Sequence, residues 1–203
     1  MERAYRDYIA TLLTLAEKND LRGLEKCCAS AAQPVVTRPV CSLLTFIGGK
    51  KENPKRFLSD TPQERDEVNW LWKWDALLLR QPSQTIMAQF PSGIAASYID
   101  QLYLLIDAEP AMALDRLLKI DRYADGEYGQ YIADKLLALF KGRPQLVVAH
   151  WPQIQPYRSS VKRMAELYAD ELPQLRDKFG KICATASLKE KEACAEVLQD
   201  LKP

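Results

Sequence analysis

An all-α fold is what this chain of 203 residues predicts, and three observations lead to it. Apolar residues recur mostly three and four positions apart, the spacing of one helix face, and no alternating run is long enough for a strand. Proline and glycine punctuate the junctions between these runs. Several prolines also follow one apolar run and open the next, which is the cadence of paired helices.

Taken in order, Ile9, Leu12, Leu13 and Leu15 at helical spacing predict a first helix over 2–17. A second spans 20–32 and carries Cys27 and Cys28, and a third runs over 39–48 after the interruptions at Pro34 and Pro39. Gly48, Gly49, Pro54 and mixed charge make 48–62 the candidate long exposed loop. Thr61-Pro62-Gln63-Glu64 then sets a capping hydroxyl, a first-turn proline and a third-position carboxylate in the order a helix start prefers, opening 62–81. Helices follow over 83–90, 93–108, 110–122, 126–141, 144–151, 158–171 and 173–180, where Gly180 is a natural C-cap. The capping box Ser187-Leu188-Lys189-Glu190 opens the last, 187–201.

Pro82, Pro110, Pro144 and Pro173 open helices at separations of 28, 34 and 29 residues, as in Pro110-Ala111-Met112-Ala113-Leu114 after the run Ile99 to Ile106. Antiparallel pairs repeating every ~30 to 45 residues are how α-solenoids bury the apolar side of each pair against the next. The chain therefore resembles, in architecture alone, a short irregular HEAT-like α-solenoid, with an orthogonal helical bundle as the alternative. Length and composition point to a single domain over 1–203, large enough to bury roughly 70% of its unfolded surface without metals.

The densest apolar segment, Val68 to Arg80, holds Trp70, Trp72 and Trp74. On a helical wheel Lys73 and Arg80 fall with Asn69 on one narrow polar stripe, so this helix is expected between neighbours. Trp72 lies roughly opposite Trp70 and Trp74, and either Trp72 or Trp74 is a candidate to line a binding groove. Asp75 lands among Val68, Leu71 and Leu79, where an isolated carboxylate would cost several kcal/mol, about the penalty of burying any unpaired charge. A cation or a set of backbone donors is expected to hold it.

Five cysteines cannot all pair internally. Cys183 and Cys194 flank the Ser187 helix start and can be bridged, for about 3 kcal/mol by loop entropy. Cys28, or its neighbour Cys27, can reach Cys41 across a short connection, leaving one thiol of the vicinal pair free. Such bridges suit an exported, periplasmic protein, whereas reduced core cysteines would suit a cytoplasmic one. Zinc is not expected, because there is no Cys-x-x-Cys and a single histidine.

Charge is nearly balanced, 28 Lys+Arg against 27 Asp+Glu, which argues against general nucleic-acid binding. No run approaches the roughly 20 apolar residues of a membrane span, and the N-terminus lacks a signal peptide's apolar core. His150 must serve any triad, yet no Gly-x-Ser-x-Gly turn accompanies it, and its place at a helix end suits capping or packing. Gly48-Gly49-Lys50-Lys51 lacks the spacing of a phosphate loop, and no cofactor is expected. The cations of 50–56 are followed at once by Asp60, Glu64, Asp66 and Glu67, a self-compensating surface.

The turn after residue 121 is more informative, because Arg122, Tyr123, Tyr128 and Tyr131 gather there, and Tyr and Arg are enriched at interface hot spots. With Trp72 they are the expected partner-binding residues. The first expectation is thus a non-enzymatic protein-interaction module: a scaffold, an adaptor or an immunity-type inhibitor. An all-α glycan hydrolase would need Trp72, Trp74 and an acid such as Asp75 in one open cleft. A helical-repeat nucleic-acid binder would need its cations gathered into one basic channel.

Overall fold

A computed structural model describes residues 2–29, 38–49, 52–80 and 90–202, and among them every regular element is helical. The residues fall into two compact units, Met1–Leu102 and Tyr103–Pro203, where length and composition had suggested one domain. No helix among the described residues is long and apolar enough to cross a membrane.

The first unit contains α1 (Glu2–Glu17), α2 (Leu21–Cys28), α3 (Arg38–Gly48), α4 (Pro54–Ser59), α5 (Arg65–Arg80) and most of α6 (Ile94–Leu105). Helix α3 is its hub, packing on α1, α2, α4 and α5, and it is apolar almost all round, with Val40, Leu43, Leu44 and Phe46 buried. A helix of that kind needs neighbours on every side. Phe46 stacks on Phe57 with ring centroids 4.7 Å apart, and Phe57 meets Tyr98 at 4.8 Å, so one aromatic column ties α3, α4 and α6. Cys28 and Cys41 bond at 2.16 Å and clip α2 to α3, leaving Cys27 as the free thiol.

The segment 48–62, expected as an exposed loop, instead carries α4. Asn53 caps it by accepting from Arg56 N at 3.1 Å, and Phe57 and Leu58 are buried. Two apolar residues in fifteen leave no visible period, yet they are enough to seat one turn and a half on α3. Helix α5 begins at Arg65 rather than Pro62: Thr61 donates back to Phe57 O at 3.3 Å, and Glu67 takes the amides of Gln63 and Glu64. The helix expected over 83–90 and its Pro82 start fall, but for Phe90, outside the described residues.

Asp75 finds backbone donors. Ile94 N and Ala95 N donate to its Oδ1 at 2.5 and 3.3 Å, so a carboxylate from the middle of α5 closes the N-terminus of α6. Those two amides have no intrahelical acceptor, and the negative charge faces the positive end of the helix. Gly93 makes the approach feasible. Its φ is +93°, and a Cβ there would stand 2.8 Å from the Asp75 carboxylate.

The second unit contains α7 (Pro110–Asp121), α8 (Gly126–Gly142), α9 (Pro144–Ala149), α10 (Trp151–Ile154), α11 (Arg158–Leu167), α12 (Leu172–Ala184) and α13 (Lys191–Asp200). Pro110 and Pro144 each occupy the first position of their helix, and Pro173 the second position of α12, as the cadence predicts. Helix α8 packs on α7, α9 and α11, while α9 also meets α12 and α13. Leu117, Ile132, Leu136, Phe140, Val147, Ile154, Met164 and Phe179 fill the core between them. Trp151 donates Nε1–H to Glu196 at 2.6 Å, fixing α10 to α13, and His150 lies at the α9 C-cap.

Helix α12 runs through Gly180 to Ala184, so Cys183 is helical rather than in a loop, and it bonds Cys194 at 2.21 Å. Ser187 N and Oγ donate to Glu190 at 3.0 and 2.6 Å, holding that carboxyl below its usual range, but the helix proper starts only at Lys191.

The Asp75 cap generates an ordered expectation for urea unfolding of the full chain followed by tryptophan fluorescence. Asp75→Ala loses about 1 to 2 kcal/mol, and Asp75→Asn, which keeps one acceptor, loses less. Gly93→Ala loses about 1 to 3 kcal/mol through backbone strain and displacement of the carboxylate. An Asp75→Ala protein as stable as the parent would show that the cap contributes nothing.

Candidate functional site

Two concavities lie in the second unit, where α11, α12 and α13 part from one another. An open groove of about 760 Å³ is lined by Arg158, Lys162, Ala165, Glu166, Leu172 and Lys202 among others. A second hollow, about 470 Å³, shares Ala169 and Leu172 with it and adds Pro173, Arg176, Asp177 and Leu198. The sequence builds this surface with an i, i+4, i+8 stripe, Arg158, Lys162 and Glu166, which borders the buried face of α11 carrying Val161, Met164 and Ala165. Ala165 and Ala169 are too small to fill the space, and Leu172 is part of an apolar floor.

The charges are mixed and unevenly used. Arg158 clamps Asp200 with Nε and Nη2 at 2.7 and 2.5 Å, fixing α11 to the end of α13 around a carboxylate only 2% exposed. Asp177 is taken by Lys181 at 2.6 Å. Lys162, Arg176 and Lys202 have no ion-pair partner among the described residues, against one such acid, Glu166, so the unengaged charge of the groove is positive.

Helix α11 is held in place from its other side. Arg163 reaches Asp121 at the end of α7, pairing with the carboxylate and donating to Asp121 O at 3.4 Å and Ala124 O at 3.3 Å. Asp121 is 1% exposed, and its burial pushes the carboxyl above the ordinary 3.8, with the Ser160 hydroxyl and the Arg163 guanidinium opposing that rise.

The expected partner residues occupy other places. Arg122 is exposed at the α7 C-cap, with its guanidinium 5.8 Å from the Tyr123 ring. Tyr128 and Tyr131 are half-buried on α8. Lys135 lies over Tyr131 at 4.7 Å and Tyr103 at 5.6 Å, and Arg143 covers Tyr103 at 4.9 Å while pairing with Asp107 at 3.2 Å. Nearby, Tyr157 donates to Asp115 at 3.1 Å, and burial with that carboxylate pushes the phenol up to about 12. None of Arg122, Tyr123, Tyr128 or Tyr131 lines the groove. Trp72 belongs to the first unit, half-buried on α5.

The glycan cleft does not form from the residues expected for it: Trp74 is fully buried, and Asp75 is committed to the α6 amides. Among the described residues no group of three or more His, Cys, Asp or Glu is placed to hold a metal ion. No family model matches the chain, and no curated protein or solved structure matches it.

Sequence reading missed the groove because its wall is assembled from residues forty positions apart. The available signal was local: Ala165 and Ala169 beside a charged stripe leave a helix face that nothing nearby can fill.

The buried pair carries a pH signature. The raised native value means the folded chain holds a proton on Asp121 that the unfolded chain releases, so stability falls as pH rises from 3.8 through the native value. Compared with Asp121→Asn in urea titrations, the parent should gain stability on acidification across that window, and parallel curves would refute the assignment. Arg163→Ala should cost about 2 to 4 kcal/mol at neutral pH, less than for a wholly buried pair because a third of the guanidinium is in water, and should recover part of it in acid.

Proposed function

We propose that this protein is a non-enzymatic interaction module that holds an acidic, partly apolar segment of a protein partner in the groove between α11, α12 and α13. One observation carries the reading: Lys162, Arg176 and Lys202 line an apolar floor without an ion-pair partner among the described residues, against a single unengaged acid, Glu166. A segment with Leu or Met facing Ala165, Ala169 and Leu172 and carboxylates facing those cations would complement both. The groove's interspersed acids speak against a nucleic-acid channel, where phosphates need an uninterrupted basic track.

In this reading the frame is a short, irregular, HEAT-like array of helix pairs, and the protein acts as a scaffold, adaptor or immunity-type inhibitor. Its cysteine chemistry favours an oxidising compartment. Two pairs at bonding distance fit one, and the periplasm is the setting we propose.

Selection of a displayed random-peptide library on the full chain tests the groove. Enriched peptides should combine acidic and large apolar residues, and each of Lys162→Glu and Arg176→Glu should weaken them about tenfold, more at low salt than at high. Absence of enrichment, or peptides indifferent to both changes, would overturn the reading. Sensitivity to Arg122→Ala and Tyr128→Ala in their place would transfer the contact to the turn between α7 and α8.

A further inference from the structure

The two bridges differ in surroundings although they share a geometry. In each, one cysteine is half-buried and the other nearly closed off: Cys28 with Cys41 at 3% exposure, Cys183 with Cys194 at 4%. In each, the closed cysteine is the fourth residue of its helix, Cys41 of α3 and Cys194 of α13. A thiolate released in the first turns of a helix is stabilised by the positive end of the dipole.

The neighbourhoods then diverge. Cys28 and Cys41 line a hollow of about 170 Å³ whose walls are polar: Arg38, Ser42, Thr45, Arg56 and Asp60. Both arginines are exposed, and neither they nor Asp60 engage in an ion pair among the described residues. The Tyr8 hydroxyl, which donates to Cys27 O at 3.1 Å, lies 3.7 Å from Cys41 Sγ, so it can turn its proton to that sulfur when the sulfur carries charge. Around Cys194 the acids Glu190, Glu192 and Glu196 outnumber the one cation within four residues, Lys191, with Lys181 two residues from Cys183, and Cys183 and Cys194 line none of the hollows described.

We propose that Cys28–Cys41 is an exchangeable disulfide, opened by a carboxylate-bearing thiol that Arg38 and Arg56 attract into the hollow, while Cys183–Cys194 is a structural bridge. The incoming thiolate forms a bond to Sγ of Cys28, the more exposed of the two residues, as the Sγ–Sγ bond breaks and its electron pair leaves on Cys41. The helix N-terminus, the Tyr8 hydroxyl and the two guanidiniums receive that charge. A second thiolate then attacks the mixed disulfide at the small thiol's sulfur, releasing Cys28 as a thiolate and the small disulfide. Two thiols are oxidised for each protein bridge reduced, and the reverse sequence with the small disulfide closes it again. Leaving-group stability and charge attraction both act on the rate of the first step.

Full-length protein carrying Cys27→Ser, so that no vicinal thiol competes, is treated with 3-mercaptopropionate or with neutral 2-mercaptoethanol. Reduction of each bridge is followed by alkylation and peptide mass mapping, with rates expressed per thiolate. Cys28–Cys41 should open about tenfold faster than Cys183–Cys194 with the anionic thiol, and the trapped mixed disulfide should sit on Cys28. Arg38→Gln with Arg56→Gln should remove most of that advantage toward 3-mercaptopropionate and slow 2-mercaptoethanol, whose thiolate carries one charge fewer, by a clearly smaller factor through the leaving group alone. Equal rates at the two bridges, an adduct on Cys41, or a double variant as fast as the parent with the anionic thiol would overturn the proposal.

Discussion

The carboxylate of Asp121, shut away from water at the end of α7 and gripped by Arg163, is the contact on which the geometry of the second unit depends. A charge in that position destabilises the fold unless its partner stays in place, so the pair sets where α11 can lie relative to the turn between α7 and α8. Once Arg163 points toward Asp121, the wheel of α11 fixes the rest: Val161 and Met164 turn into the core, and Arg158, Lys162 and Glu166 fall on the adjoining, outward side. Arg158 then takes Asp200 and anchors the far end of α13. Two cross-helix ion pairs from one ten-residue helix thereby hold both walls of the groove.

The first unit solves the same problem with a different donor. Helices of six to sixteen residues are marginal by themselves, and their ends expose amides and carbonyls that need partners. Asp75 answers with a carboxylate set into the middle of a neighbouring helix, and Gly93 supplies both the left-handed turn and the missing side chain that let the two meet. The aromatic column Phe46, Phe57, Tyr98 supplies apolar contact where no such pairing exists.

How much of this the sequence discloses follows from the range of each interaction. Helical periodicity is a local property, and so the all-α class, the proline-started helices and the need of Asp75 for a partner are readable from spacing alone. The pairing of Cys183 with Cys194, and of Cys28 rather than Cys27 with Cys41, concerns short chain separations and is readable as a small set of alternatives. Helix α4 was not legible, because Phe57 and Leu58 acquire their meaning only against α3. Thr61 was misread for a related reason: its hydroxyl is within reach of Phe57 O in a helix the sequence does not announce, and Glu67 takes the amides that Thr61 was expected to serve. The groove, like the Arg163 to Asp121 contact, joins residues some forty positions apart, and no local pattern encodes that.

The unengaged cations of the groove cost the fold little, and that is the reason they can be held in reserve for a partner. An exposed lysine paired with an exposed acid contributes about 0 to 1 kcal/mol, so folding gains almost nothing by giving Lys162, Arg176 or Lys202 an internal partner. The balance changes when a ligand covers the floor formed by Ala165, Ala169 and Leu172. Water is displaced, the effective dielectric falls, and the same charge acts more strongly on a carboxylate brought against it. Charges that the isolated chain leaves solvated are therefore those whose interaction strengthens most on association, whereas Arg158 and Arg163, already committed to buried carboxylates, are set to hold the surface and not to recognise what lands on it.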